Sequence, residues 1–441
     1  MRVPTAKRGL EERTGLLAWF PYYAGFSAEF VRTSIRELAP KQPCIVADPM
    51  NGSGTTTAVA QSLGHYAVGA DLNPFMAILA GAKDSNLANL LRTNRISLPL
   101  CPSDSTKAQS ETQFRNDISA ANEQRWLPPE IFRTIRCFID AVETAAPDPS
   151  ESLATALKDI NAIPGKSYCG TAAFQIGAAL TIARSFTNLS RLSNPTWLKP
   201  GDNSSSRPQL TFNDFLVRQL GQMTEDLKRF FGEGKKERMV ASLNCDFRAI
   251  PLNAGSVDLI VTSPPYLTRL DYSVSTAPEL ALLGVDGHSI SSSLRRSQMG
   301  SLITSGATPS TEIEVEIGVA RLLSQIASHR SKASANYYRK FFSNYFISAF
   351  ALISKLSHLL KPGGKAILVV QDSWYKDIHI DLGQLYANFA RKAHLKAKII
   401  RTETVKRILT TINRSALAYN KGGIQEHVLV LEKKKSNGSH K

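Results

Sequence analysis

A short apolar run at 44–47 breaks at Asp48 into a glycine-rich turn. Helical spacing follows at 55–63, and 66–70 reads as a second strand ending at Asp71. Pro74 opens a helix predicted to reach about residue 91. Upstream, 27–38 has a helical pattern, with Ser27 as its cap and Pro40 as its stop. Strand, tight turn, helix, strand, helix is the opening of a doubly wound α/β sheet.

The pattern then breaks. Between 93 and 238 no strand series stands out, and helices are predicted at 129–143, 151–160, 171–189 and 213–231. Residues 92–238 are therefore expected to form a mainly helical insertion, with polar connectors at 98–112 and 193–209. Strand character resumes at 238–244 and 257–261, so 1–91 and 239–283 read as two halves of one core. The Ser/Arg-rich stretch 284–336 is expected to be a loop-rich basic insertion, with 289–309 as a mobile loop. In the C-terminal part of the core, 337–432, a long helix over 337–360 stops at Lys361-Pro362-Gly363-Gly364. A strand at 365–370, a helix at 380–393 and strands at 396–405 and 426–431 follow, the last two as an antiparallel pair. The tail 433–441 is expected to be disordered.

Composition adds a partner class. With 53 Lys and Arg against 37 Asp and Glu, the formal net charge of +16 points to a polyanion and fits a small-molecule or protein substrate poorly. The five cysteines, Cys44, Cys101, Cys137, Cys169 and Cys245, have no CxxC spacing, so neither a zinc site nor a redox pair is expected. No apolar segment has the length of a signal peptide core or a membrane span, and a cytoplasmic location is the expectation.

Two runs carry chemistry. In Asp48-Pro49-Met50-Asn51-Gly52-Ser53-Gly54-Thr55-Thr56 the glycines permit positive φ and a close ligand approach, and Thr55 opens a helix whose free N–H groups face that ligand. The run lacks GxGxxG spacing and a P-loop lysine. Asp48 would repel a diphosphate but attract an ammonium group, which favours S-adenosylmethionine. Asp71, at a strand end, is placed to take ribose hydroxyls; the bland alternative is a helix cap. Asp246 and Phe247 are candidates for the adenine amino group and ring. Among the early aromatics Phe20, Tyr22, Tyr23 and Phe26, Tyr22 is the candidate pocket residue, with core packing as the alternative.

The second run, Ser263-Pro264-Pro265-Tyr266, follows a strand. It suits methyl transfer to a poorly nucleophilic amino nitrogen. Hydrogen bonds from the NH₂ to the Ser263 side chain and the Pro264 carbonyl would expose the nitrogen lone pair, Pro265 would stiffen the turn, and Tyr266 would stack on an extruded base. No metal is required by this chemistry.

These runs resemble the amino-methyltransferases of bacterial restriction–modification and related systems, which make N4-methylcytosine or N6-methyladenine in DNA. The family's cofactor run is Asp-Pro-Phe-x-Gly-Ser-Gly-Thr, with Met50 here in place of Phe, and its catalytic run is Ser or Asp, Pro, Pro, then Tyr or Phe. Asp71-Leu72-Asn73-Pro74 resembles the family's ribose-binding motif, and residues 20–26 resemble its N-terminal pocket segment. The resemblance covers about half the chain. It implies a Rossmann-like S-adenosylmethionine-dependent fold, double-stranded DNA as partner, no membrane, and a separate endonuclease as a further partner. Thr-Ser-Pro-Pro-Tyr is more typical of cytosine-N4 enzymes, which makes cytosine N4 the expected target and adenine N6 the alternative. An RNA methyltransferase and a non-catalytic nucleic-acid-binding subunit are the rivals.

The insertion 92–238 is the expected target reader, with Arg184, Lys235 and Lys236 among its basic residues. Arg295 and Arg296 in 284–336, and Arg269 directly after the catalytic run, are further DNA candidates, with pairing of Arg269 to Asp271 as the alternative.

Overall fold

A computed structural model describes residues 3–9, 12, 14–21, 25–41, 43–96, 126–145, 167–168, 170–187, 189–190, 198–200, 211–233, 239–268, 270–285, 290–301, 303, 311–405 and 423–435. Its centre is an eight-stranded sheet: β1 (Ile45–Asp48), β2 (Tyr66–Asp71), β3 (Ser167–Tyr168), β4 (Val240–Asn244), β5 (Val257–Thr262), β6 (Leu360–Gln371), β7 (Leu395–Thr404) and β8 (Gln425–Lys433). The spatial order is β7-β8-β6-β5-β1-β2-β4-β3. The run from β4 to β6 is parallel, β8 is antiparallel to both its neighbours, and β3 closes the other edge antiparallel to β4. Leaving the small β3 aside, this is a Rossmann-like sheet with one reversed strand next to its edge. It is the doubly wound sheet expected from the sequence.

Alternate residues of the central strands feed opposite layers, as period-2 geometry requires. Val46, Ala67, Leu259, Val261 and Val369 belong to one core cluster. Ala47, Val68, Ile260, Leu368 and Val370 belong to the other. The first layer holds α1 (Ala28–Leu38), α2 (Thr55–Ser62), α3 (Pro74–Gly81), α4 (Ser85–Arg92), α5 (Pro129–Ala145), α6 (Gly170–Ala183) and α7 (Phe212–Phe231). After β5 come α8 (Ala277–Leu282), which joins the first layer against α3, α5 and α6, and α9 (Ile290–Ser297). The second layer is built on α10 (Thr311–Glu316), α11 (Ala320–Ser328), α12 (Arg339–Leu359) and α13 (Leu382–Lys392). No helix among the described residues is long and apolar enough to cross a membrane.

Three expectations change. The helix expected from Pro74 to residue 91 is two helices, because Asp84 takes an extended backbone and caps α4 through the Asn86 amide. Ser27 and Asn73 cap α1 and α3 through the amides of Phe30 and Phe75, so Asp71 is not a cap. The stretch expected to be a mobile loop carries α9, and the next described helices, α10 and α11, pack toward α12. The C-terminal strand runs on to Lys433, whose ammonium donates to the carbonyls of Ser357 and Leu360 at 2.7 and 2.8 Å. The helix expected at 151–160 and the connector at 98–112 lie outside the described residues.

The described helices of 92–238 do not stand apart from the core. α6 is buried nearly all round and packs on α3, α5 and α7. Arg184, expected among the DNA-facing cations, is bound to the buried Glu279 of α8, with a second contact at 2.9 Å, and lies over the Phe20 ring at 4.9 Å. Its charge is spent inside the fold. Arg184→Ala should therefore leave Glu279 as an unpaired buried carboxylate and cost about 3–5 kcal/mol in denaturant unfolding; a loss below about 1 kcal/mol would remove this role.

Candidate functional site

In a doubly wound sheet the crevice opens where neighbouring strands send their connections to opposite faces, outside the strand carboxyl ends. Here β1 leads to β2 on one side and lies against β5 on the other. A cleft of about 1030 Å³, its solvent-open part included, sits above these strand ends. Pro49, Asn51, Gly52 and Thr55 of the turn after β1 line it, as do Asp71 after β2, Asp246 and Phe247 after β4, and Ser263 to Tyr266 after β5. Residues separated by more than two hundred positions therefore share one cavity because each ends a parallel strand.

The turn after β1 is held from several sides. The Asn51 amide donates to Ala70 O and the Gly52 amide to Asp71 Oδ2, both at 2.9 Å. The other Asp71 oxygen accepts from the Asn73 amide at 2.8 Å. Asp71 thus ties the end of β2 to the glycine turn while still lining the cleft. Gly69 makes room for Asn51, whose side-chain nitrogen sits where a Cβ would be. Gly54 is not on the cleft wall. It adopts φ +87° at the start of α2, and a Cβ there would lie 2.8 Å from the Ala80 Cα of α3, so its lack of a side chain serves helix packing.

Asp48 also differs from its expected place. It is 2% exposed and absent from the cleft wall. Its Oδ1 accepts from the Met50 amide at 3.0 Å and its Oδ2 from the Thr56 hydroxyl at 2.8 Å. The same hydroxyl lies 3.2 Å from Val261 O, which links β1 to β5 beneath the cleft. Asp48 is a brace for the turn rather than a surface offered to an ammonium group. Burial pushes its carboxyl up to about 6, and burial likewise raises Asp71 to about 6.

The Ser263–Tyr266 run is anchored on β6 and α12. The Ser263 hydroxyl donates to Val369 O at 3.2 Å, which turns its lone pairs away from that carbonyl. The Tyr345 hydroxyl donates to Pro265 O at 3.0 Å, and Ser373 Oγ donates to Leu267 O at 2.6 Å. Among the described residues nothing donates to Pro264 O. Tyr266 lines the cleft beside Tyr272.

Asp246 caps a short 3-10 turn through the Arg248 amide at 2.8 Å and pairs with the Arg248 side chain at 2.7 Å. The Arg248 guanidinium covers one face of Phe247 at 4.5 Å. Of the early aromatics Phe26 lines the cleft with Gly25, whereas Phe20 packs edge-on to Phe75 at 4.8 Å in the core. Tyr22, Tyr23, Arg269, Lys235 and Lys236 lie outside the described residues. Arg295 is bound to the buried Asp271 at 2.7 Å and so fixes α9 to the segment after the catalytic run; Arg296 is exposed. The sequence reading missed Met76 and the 297–299 wall after α9, since nothing in their local pattern marks a cleft.

One group of His and Asp atoms, on Asp372, Asp381 and His427, is compact enough to share an ion. Asp372 already accepts from His379, His427 and the Leu382 amide at 2.8, 3.0 and 3.0 Å. Burial alone would raise its carboxyl, but the two histidines hold it below the usual value. None of its residues lines the cleft.

No family model matches the chain. It is similar to a curated protein described as Type II methyltransferase M.BsoBI from Geobacillus stearothermophilus, 27% identical over 290 residues. The match covers 64% of this chain and 55% of that protein, so the chain spans about half the length of this relative. Among solved structures it is similar to two of the rRNA methyltransferase aviRa from Streptomyces viridochromogenes. Identities are 11% and 10% and TM-scores 0.25 and 0.26, over 93% and 94% of this chain and 86% and 89% of those chains.

The buried carboxyl of Asp48 has a testable pH signature. With its value raised from 3.8 to about 6, the folded state holds a proton that the unfolded state releases. The stability contributed by this group therefore falls as pH rises from about 4 to 6 and is constant above that window. Asn at this position keeps an acceptor for Met50 and a donor toward Thr56. Asp48→Asn should shift Tm more favourably at pH 7.5 than at pH 4; an equal shift at both would contradict the buried-carboxylate assignment.

Proposed function

We propose that this chain is an S-adenosylmethionine-dependent DNA methyltransferase that modifies the N4 amino group of cytosine in duplex DNA. The observation that carries the reading is the single cleft in which the glycine turn and Asp71 face Ser263-Pro264-Pro265-Tyr266. The Type II methyltransferase relative supports the reaction class, and the +16 charge supports a polyanionic substrate. The resemblance of the Thr262–Tyr266 run to cytosine-N4 enzymes supports the choice of base.

The cleft fits the methyl donor on chemical grounds. Asp71 offers a strand-end carboxylate to ribose hydroxyls, Phe247 an apolar wall to adenine, and the turn before α2 a close-approach backbone to the amino-acid end. When bound, the donor supplies an electrophilic sulfonium methyl. The protein's task is to present the amino nitrogen. Ser263 Oγ, its proton directed at Val369 O, accepts one amino hydrogen, and the unclaimed Pro264 carbonyl accepts the other. Both contacts draw the nitrogen lone pair out of ring conjugation. Tyr345 holds Pro265 O and so fixes the turn before substrate arrives. Tyr266 stacks on the extruded base, and the surplus proton leaves the cationic nitrogen after transfer.

Exposed Arg296 follows Arg295 on α9, whose C-terminal end reaches the cleft, and is proposed to meet a DNA phosphate at the cleft mouth. The resemblance carries the further proposal of a restriction–modification setting with a separate endonuclease.

The test is mass spectrometry of nucleosides from DNA treated with the protein and methyl-deuterated S-adenosylmethionine. Labelled N4-methylcytosine is expected. Labelled N6-methyladenine would keep the site but reverse the base assignment, and no label on varied duplexes would overturn the proposal. Ser263→Ala should keep cofactor affinity and lose at least about 100-fold in turnover; unchanged turnover would remove Ser263 from the chemistry.

A further inference from the structure

Lys83 is the fully buried lysine among the described residues. It lies between α3 and α4 and is 0% exposed. Its ammonium donates to Ser53 O in the glycine turn and lies 5.7 Å from the Trp19 ring centroid. Among the described residues it has no carboxylate partner. Of the charged side chains on the segments around it, Arg8 repels it, Asp84 caps α4, and Asp226 of α7 accepts from Trp19 Nε1 and Gln222, each at 3.0 Å. A methionine would fill the same space without the cost of burying a charge. Burial, with Arg8 adding to it, lowers the ammonium to about 7.

The surroundings explain why a cation is kept there. Ser53 is on the cleft wall, and Lys83 grips its carbonyl from behind. Arg8 approaches the same turn from the N-terminal segment and donates to Thr55 Oγ at 3.1 Å. Gly25 has no side chain because the Arg8 guanidinium occupies that space. The first amides of α2 face the same turn and add partial positive charge. Three positive contributions thus converge on Ser53–Thr55, and among the described residues no carboxylate is paired with Lys83.

We propose that Lys83 is a positioning residue of the methyl-donor site, holding Ser53 in place and supplying from behind the turn the positive charge that selects a ligand carboxylate. This rests on the reading of the cleft given above. The carboxylate is that of the donor's amino-acid end. A ligand of the same nucleoside that lacks the carboxylate gains nothing from Lys83. Binding of the carboxylate also favours the charged ammonium, so near and above neutral pH it draws a proton from solvent.

Calorimetry separates this from a packing role. Lys83→Met preserves the shape and removes the charge. S-adenosylhomocysteine, which carries the carboxylate, should bind the variant about tenfold more weakly than wild type. 5′-Methylthioadenosine, which lacks it, should bind both proteins within about twofold. Equal losses for the two ligands would reduce Lys83 to a structural residue, and no loss for either would overturn the proposal. A second measurement needs no variant. Wild-type binding of S-adenosylhomocysteine at pH 8, in buffers of different ionisation enthalpy, should show net proton uptake; zero uptake or net release would contradict the proposal. Failure of wild type to bind either nucleoside would overturn the cofactor reading and this inference together.

Discussion

The contact between β1 and β5 is the constraint on which the site depends. The two strands are neighbours, yet β1 turns into α2 while β5 runs into the Ser263–Tyr266 loop, and the cleft is the space left above that divergence. One hydroxyl spans the join: Thr56 sits between Asp48 Oδ2 of β1 and Val261 O of β5. Moving either strand end would change the distance between the glycine turn and the Ser263–Tyr266 loop. Preorganisation of this kind is where fixed dipoles and positioned acceptors gain their value, because little remains to be ordered when ligands arrive.

The division of work among polar groups follows from that geometry. Asp48 and Lys83 are both deeply buried and both address the turn from inside, Asp48 through Met50 and Thr56 and Lys83 through Ser53 between them. Asp71 faces two ways, bracing Gly52 and lining the cleft. In the Ser263–Tyr266 loop, Pro265 O is committed to Tyr345, and Ser263 directs its proton to β6, which leaves an acceptor surface toward the cleft. Acceptors turned toward the cleft suit an amino group, which brings two donors.

Much of this was legible in the chain. The strand, glycine turn, helix order and the Ser-Pro-Pro-Tyr run each have local signatures, and the sheet edge with its antiparallel partner strand could be expected from the last two apolar runs. What escaped has no local mark. The spacing of 74–91 suits one helix, and only the extended backbone at Asp84 divides it. The helices of 92–238 read as a mainly helical insertion, and sequence does not say which layer an apolar helix joins; α6 lies against α3. Arg184 and Arg295 look like nucleic-acid contacts until their acidic partners, Glu279 and Asp271, are brought to them by folding. Asp48 was placed correctly at a strand end, but which way its carboxylate turns depends on Thr56, eight residues later.

The central claim, that one cleft holds the methyl donor between Asp71 and the Ser263 loop, is tested most directly by a crystal structure with S-adenosylhomocysteine. The account predicts ribose hydroxyls on the Asp71 carboxylate, the amino-acid end at Ser53–Thr55, and the sulfur directed at Ser263. Ligand density elsewhere on the protein, or a reversed orientation with adenine at the Ser53 turn, would contradict it.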